Sequence, residues 1–312
     1  KHASGTTGVT AKNLRAEQVD QNGVTIAGVE APDVDLTNSA SGLAVYADKM
    51  RVAKIDAGSA VLGSLNIGGV RLTVRQGRVE ARSNDIDAGN VALTKTETLP
   101  EGGNLNDVKI AKPVFILEPS GRYRVTADMT LGGGMIGSVA LGAANAKVDA
   151  NNDRVALTEL VADVMDGRIN GTATIALNNR SASMLKGDFS NLDISKLAAL
   201  RVGNLAPLQG QTTGNIDLTF PGTDFRTSSG TINAAITANA GTADRGFVPI
   251  HGQIRLSAVS GLFTVDLADL NTEKSRLTAT GRFDLKDENS DLAVVLNSTD
   301  ASEIDRLFAD GT

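Results

Sequence analysis

Apolar residues fall on every second position along much of this chain. In GRINGTATIAL, which begins at Gly167, the residues Ile169, Ile175 and Leu177 share one parity, and polar residues such as Asn170 stand between them. A period of two places the apolar side chains of a β-strand on one face and the polar ones on the other. The other apolar positions that we predict to lie on this face are Ile216, Leu218, Phe220, Ile232, Ile236, Ile254, Leu256, Phe263, Val265, Leu277, Phe283, Leu285, Leu292 and Val294.

Turn-forming sequences separate these alternating segments. DQNG, EPSG and FPGTD are examples, and the 7 prolines of the chain leave room for long strands. The sequence therefore predicts an all-β fold, built as an elongated, curled antiparallel sheet with an apolar inner face. About twenty strands at ~4.8 Å each would extend to roughly 100 Å. Two short helices are expected at 193–200 and 300–308, where an acidic residue precedes apolar residues at helical spacing.

A long internal repeat relates two parts of the chain. Ile169 and Ile175 match Leu277 and Phe283 at an offset of 108 residues, and the two predicted helices match at 107. The repeat predicts strand–strand–helix units at 155–201 and 263–309. We accordingly expect a β-groove segment over 7–154 and a second one over 155–312, with the polar residues 1–6 as a cloning scar.

Composition removes several classes of function. The net charge is −6, the pI is about 5.1 and no basic cluster occurs, which argues against binding to nucleic acid or to an anionic membrane surface. Cysteine is absent, so thiol nucleophiles and thiolate metal sites are excluded. No run reaches the ~18 apolar residues of a membrane helix.

The candidate catalytic and metal-binding motifs are incomplete. His251 has no ligand-type neighbour in the sequence, and the calcium-loop-like DANND has Arg154 and Leu160 where glycine and glutamate are required. LGGGMIG lacks the lysine and hydroxyl residue of a phosphate loop, so we expect a bulge or a close approach of two backbones there. These features predict a protein that is not an enzyme and has no metal or cofactor.

A one-sided sheet has to cover its apolar face. A groove lined by Val, Leu, Ile and Ala would suit an acyl chain, because burying each methylene is worth ~0.8 kcal/mol. Two other interpretations stay open: a secreted structural β-repeat or adhesin whose apolar face is a closed dry core, and a tandem pair of β-sandwiches that bind protein or carbohydrate. The long repeat and the scarcity of aromatic residues, 3% of the chain, favour the groove.

The units DGRINGTATIAL, LQGQTTGNIDLTF and SRLTATGRFDL followed by DASEIDRL resemble the TamB-type members of the AsmA-like superfamily, most closely over 155–308. The resemblance implies a repeating β-groove, or β-taco, in the periplasm of a diderm bacterium. It also implies that the groove carries phospholipid acyl chains between the membranes and supports outer-membrane assembly as part of a translocation and assembly module. The inner-membrane anchor and the outer-membrane barrel partner of such proteins are expected only for a parent of which this chain is a soluble fragment.

Overall fold

The computed structural model describes residues 5–21, 23–95, 101–137, 139–178, 181–197, 207–222, 224–238, 247–284 and 289–308. Twenty strands in the described part of the chain belong to one sheet, and two more form a small sheet of their own. All pairs of the large sheet whose register is given are antiparallel, which confirms the all-β antiparallel fold. The chain divides into two compact units, Lys1–Glu159 and Leu160–Thr312.

The strands of the first unit are long or are built from two collinear pieces. Strand β3 pairs with β4 near its end and with β5 along the rest, and β8 is likewise paired with both β9 and β10. The pairing along β3 and β8 therefore continues past the point where the neighbouring strand is interrupted. The bounds are β1 Thr7–Gln21, β2 Val24–Ser39, β3 Gly42–Asp56, β4 Ala60–Leu62, β5 Leu65–Arg75, β6 Arg78–Arg82, β7 Asp85–Leu93, β8 Gly103–Leu117, β9 Tyr123–Leu131, β10 Gly133–Ile136, β11 Val139–Asn151 and β12 Arg154–Val164, the last of which crosses the unit boundary.

Bends in the first unit lie side by side on neighbouring strands. Gly69 in β5 and Lys112 in β8 both have positive φ, and Asn84 lies between them in space. The Asn84 amide donates to the Gly68 carbonyl at 2.9 Å, and the Lys112 amide donates to the Asn84 carbonyl at 2.8 Å. A bulge bends its strand and increases the local twist. The two irregular positions are therefore linked through Asn84 by backbone hydrogen bonds.

The second unit is an antiparallel meander in strict chain order. After β12, its strands are β13 Gly167–Ala176, β14 Ala182–Asp193, β16 Gln211–Pro221, β17 Ser229–Thr237, β19 His251–Val259, β20 Leu262–Asn271, β21 Ser275–Asp284 and β22 Ser290–Ser298. From β13 to β22, each of these strands pairs with the next one. The short strands β15 Leu208–Gln209 and β18 Val248–Pro249 pair in parallel outside the meander.

Short helices end two of the strand series. Residues 194–197 are helical, while 198–200 of the first predicted helix lie outside the described residues; α1 spans Ala301–Phe308. The amide and hydroxyl of Ser195 both donate to Asp193, and those of Ser302 donate to Asp300 in the same way. A short 3-10 turn at Phe225–Thr227 has no counterpart in the sequence prediction.

The predicted period also appears in the strand positions. Strands β12, β13 and β14 begin at 154, 167 and 182, and β20, β21 and β22 begin at 262, 275 and 290, each 108 residues later. Each series then leads into a helix, at 194 and at 301. Each of the two stretches is thus three strands followed by a helix.

Candidate functional site

The second unit carries one continuous apolar face. We use "row" for residues that lie opposite one another on successive strands, because such residues share a face of the sheet. Row 1 contains Ile169, Phe189, Gly214, Ala234, Ile254, Ala268, Ala279 and Val294. Row 2 contains Gly171, Gly187, Ile216, Ile232, Leu256, Val265, Gly281 and Leu292. Row 3 contains Ala173, Leu185, Leu218, Gly230, Ala258, Phe263, Phe283 and Ser290, and row 4 contains Leu192, Thr212, Ile236, Gly252, Leu270, Leu277 and Leu296.

Burial along this face is graded rather than complete. Leu218 is 0% exposed and Phe263 is 3% exposed. Phe220, Ile236 and Val265 are also buried. The half-buried predicted residues of the face are Ile169, Ile175, Ile216, Ile232, Ile254, Leu256, Leu277 and Phe283. The face is therefore neither a fully enclosed core nor a fully wet surface.

Three of the predicted face residues are exposed, and a fourth is not among the described residues. Leu177 lies in the turn that follows β13 and is 48% exposed, because the pairing of β13 with β14 ends at Thr174. Leu292 and Val294 belong to the rows but are 43% and 54% exposed, since β22 is the last strand of the meander. Leu285 lies outside the described residues.

Glycines in the rows mark where the strands approach most closely on this side. A Cβ atom on Gly214 would lie 1.8 Å from the Asn233 carbonyl oxygen of β17. Gly230 has a φ of 139°, and a Cβ there would lie 2.0 Å from the Asp217 carbonyl oxygen of β16. Both collisions involve the backbone of the adjacent strand, so no side chain could move aside. The pairing of β16 with β17 thus depends on the lack of a Cβ at two positions of the apolar face.

Segments that connect the strands, including the short strands β15 and β18, cover one edge of the face. The Ile194 amide donates to the Gly210 carbonyl at 3.1 Å, and the Ile250 amide donates to the Gln209 carbonyl at 2.9 Å. Val248 in β18 is 2% exposed, and α1 packs on β18. The hydroxyl of Thr212, in row 4 beneath this edge, is buried without a hydrogen-bond partner in the described part of the chain. Row 4 is therefore more enclosed than rows 1 and 2.

The opposite face of the second unit is polar and carries ion pairs. Lys186 and Asp217 face each other at 3.0 Å across β14 and β16. Arg276 donates two hydrogen bonds to Asp269, at 2.9 and 2.8 Å. These hydrogen bonds hold the pKa of Asp269 below its ordinary value of 3.8, and they raise the pKa of Arg276. These charged side chains therefore lie on the face opposite to rows 1 to 4.

The first unit has apolar rows of the same kind, although the sequence-based list of face residues contains none of them. One row joins Met50, Ile67, Ile86, Ile110, Met129 and Ala146. A second joins Ile26, Ile55, Leu62, Val91, Leu105, Gly134 and Leu141. A buried cluster includes Val91 of the second row, together with Val52, Leu65, Ala88, Val108 and Leu131.

Sequence reasoning also missed face residues in the second unit. Leu185 and Phe189 of β14 lie directly opposite Leu218 and Ile169. Their spacing, with Gly187 between them, continues a period of two through a glycine, and this signal could have identified them. Ala258 and Ala268 were missed because alanine alone does not distinguish an apolar face from a polar one.

The incomplete motifs occupy ordinary structural positions. His251 is the exposed first residue of β19. In DANND, the Asn151 carboxamide oxygen accepts hydrogen bonds from the amides of Asp153 and Arg154 at 2.9 and 3.0 Å, as in an Asx turn. In LGGGMIG, a Cβ on Gly134 would lie 2.1 Å from the Asn104 carbonyl oxygen of β8, so the close backbone approach expected there is present.

The described residues contain no group of three or more acidic, histidine or cysteine side chains that could hold a metal ion. None of the helices described is both long and apolar enough to cross a bilayer. Comparisons with models of known protein families, with curated proteins and with solved structures found no match to this chain.

Proposed function

We propose that the apolar rows bind phospholipid acyl chains, and that this chain is a periplasmic segment of a lipid-transfer bridge that serves assembly of the outer membrane. The observation that supports it is the continuity of the rows across successive strands combined with their incomplete burial. Half-buried residues such as Ile216, Ile232 and Leu256 leave apolar surface that an acyl chain would cover.

The lining of the rows suits movement along the face better than fixed binding. Aliphatic side chains and glycines dominate rows 1 and 2, and the charged groups lie on the other face. A site for one specific small molecule would place a few polar groups inside its pocket. An acyl chain of ordinary length gains about 10 kcal/mol on leaving water, at ~0.8 kcal/mol per methylene. A path about as apolar as a bilayer can therefore hold it without binding it more tightly than the bilayer does.

The alternative is a structural β-repeat or adhesin whose apolar face is a dry core. The buried residues of row 3, Leu218 and Phe263, fit a core of this type. The half-burial of rows 1 and 2 does not, because a dry core would enclose those positions as well.

A photolabelling experiment tests the lipid proposal. The chain would be mixed with phosphatidylethanolamine vesicles that contain a phospholipid with a photoreactive diazirine in its acyl chain. After irradiation, the labelled residues would be mapped by mass spectrometry. We expect label on Ile232 and Leu256 and none on Thr231 and Ser257, their neighbours of opposite orientation. Equal labelling of both faces, or none, would contradict the proposal and favour the structural repeat.

A further inference from the structure

Four exposed arginines lie on one face of the hairpin that β5 and β6 form. A two-residue turn joins the strands, and its residues Gln76 and Gly77 have φ angles of 50° and 80°. A tight turn of this type fixes the register of a hairpin. That register places arginine directly opposite arginine twice, in the pairs Arg71–Arg82 and Arg75–Arg78.

The two flanking strands add no opposite charge directly beside the first of these pairs. Strand β3 places Tyr46 opposite Arg71, and β8 places Val114 opposite Arg82. Like charges that face each other on antiparallel strands weaken the pairing. Positive charge is therefore concentrated locally in a chain whose net charge is −6, and an anion in contact with both guanidinium groups would offset their repulsion.

Contacts with the protein position both members of this pair. The guanidinium carbon of Arg71 lies 5.5 Å from the centre of the Tyr46 ring, as in a cation–π contact. The Nε–H of Arg82 donates to the Glu80 carboxylate at 2.6 Å. Among the described residues, Arg71 forms no ion pair and the terminal nitrogens of Arg82 donate no hydrogen bond. The two groups are thus held in place while N–H donors remain for a ligand.

The second pair adds positive charge to the same face. Arg78 contacts Glu118, with 3.3 Å between Nε and Oε1, and Arg75 forms no ion pair within the described part of the chain. Arg124 of β9 differs, because it donates two hydrogen bonds to Asp149, at 3.0 and 2.7 Å. The hairpin therefore has more guanidinium groups than carboxylates in contact with them, whereas the charge of Arg124 is matched.

We propose that the arginine face of the β5–β6 hairpin binds a phosphate group, with Arg71 and Arg82 as its main ligands. A guanidinium group presents N–H donors in a planar fork that matches the oxygens of a phosphate. A phosphate group has enough acceptor oxygens to contact both arginines at once. The arginines alternate with other residues along each strand, so no run of basic residues marks the site in the sequence, and strand pairing brings them together.

Titration of the full chain with inorganic phosphate tests the site. Sodium chloride would keep the ionic strength constant, and NMR of the arginine Nε–Hε groups would report binding at each side chain. We expect saturable shifts at Arg71 and Arg82. Shifts that sodium chloride alone reproduces, or an absence of saturable shifts, would overturn the proposal, because either result would mean that the arginines respond only to the general ionic atmosphere.

Substitutions separate a phosphate site from a general effect of charge. Arg71→Gln should weaken phosphate binding at least about threefold, because a charge-assisted hydrogen bond is lost. Arg71→Lys should weaken it at least about twofold, since lysine keeps the charge but lacks the planar fork. Arg276→Gln is the matched control, because it removes the same charge from a pair in the second unit; it should bind normally. Equal weakening by Arg71→Gln and Arg276→Gln would contradict the proposal.

Vesicles distinguish the source of the phosphate. The chain would be sedimented with vesicles of phosphatidylglycerol and phosphatidylcholine in equal parts. Binding that inorganic phosphate competes for and that Arg71→Gln reduces would assign the site to a lipid headgroup. Phosphate binding without vesicle binding would assign it to a soluble phosphate ester. The site is independent of the apolar rows, so a lack of acyl-chain labelling with normal phosphate binding would contradict the lipid proposal alone.

Discussion

At the residue scale, Ile216 and Leu218 show how much burial varies along one face. They lie two positions apart in β16 and point to the same side, but Leu218 is 0% exposed and Ile216 is half-buried. A charge would therefore have different consequences at the two positions. At Leu218 it would be buried without a partner, and at Ile216 it could still reach water.

We expect Leu218→Glu to lower the free energy of unfolding by about 3–5 kcal/mol, as measured by chemical denaturation. Ile216→Glu should leave the denaturation midpoint close to that of the wild type and should strongly reduce photolabelling by the diazirine phospholipid. Asp217→Asn provides the control on the polar face, and its labelling should be unchanged. Normal labelling of the folded Ile216→Glu protein would argue that acyl chains do not follow row 2.

The alternation predicts faces correctly where strands are regular and fails at a bulge. Phe263, Val265 and Leu267 of β20 have the same parity in the sequence. A register shift after Val265 places Ala268 in row 1 and Leu267 opposite Arg255. The shift arises where β20 pairs with its neighbours, and a single-strand period contains no information on such non-local pairing.

At the element scale, glycine content decides where strands can pair closely. The sequence shows glycines throughout the chain but does not show which of them face a neighbouring backbone. Gly8 and Gly214 both lie inside strands, β1 and β16. A Cβ on Gly8 would meet nothing within 4 Å, whereas one on Gly214 would collide with Asn233 and with the Phe189 ring, at 1.8 and 2.7 Å.

Gly214→Ala should therefore destabilise the second unit, because the new methyl group forces β16 away from β17 or displaces Phe189. Overpacking of this kind costs about 1–3 kcal/mol or more. Gly8→Ala should be neutral or slightly stabilising, since alanine lowers the entropy of the unfolded chain. Thermal melts of the two variants measure the difference. Equal melting temperatures would mean that the β16–β17 pairing tolerates a Cβ at this position.

The positions of strands and helices along the chain were more predictable from the sequence than which strands pair with each other. The period of 108 residues and the Asp–x–Ser starts of both helices are visible in the sequence, and they recur in the strand starts and in the hydrogen bonds of Asp193 and Asp300. The parallel pair of β15 and β18 was not predicted. It is only two residues long on each side and is formed by connections that carry no alternation.

At the scale of the whole molecule, the described residues of each unit include an Arg–Asp pair of the same geometry. Arg124 donates to Asp149 at 3.0 and 2.7 Å in the first unit, and Arg276 donates to Asp269 at 2.9 and 2.8 Å in the second. Each pair joins neighbouring strands diagonally. Hydrogen bonds from the arginines lower the pKa of both carboxyl groups from 3.8, so the two units should respond to acid in the same direction.

A carboxyl group whose pKa is lower in the folded than in the unfolded chain stabilises the fold above its unfolded value of about 3.8. That contribution is lost as the pH falls below 3.8 and through the folded value. Hydrogen bonds also lower the pKa of Asp20 and Asp56, so these groups act in the same direction. These groups should therefore leave the urea denaturation midpoint nearly unchanged between about pH 5 and 7. The midpoint should fall as the pH is lowered from about 4 to 2.

The variants Asp149→Asn and Asp269→Asn should each reduce this acid dependence and have lower midpoints than the wild type at pH 7. Both pairs lie near the surface, so 1 M salt should weaken the effect through screening. Urea denaturation at pH 7, 4 and 2.5, in low and in high salt, measures all of these changes. A midpoint that rises on acidification, or a wild-type slope retained when both substitutions are combined, would mean that other groups control the acid response.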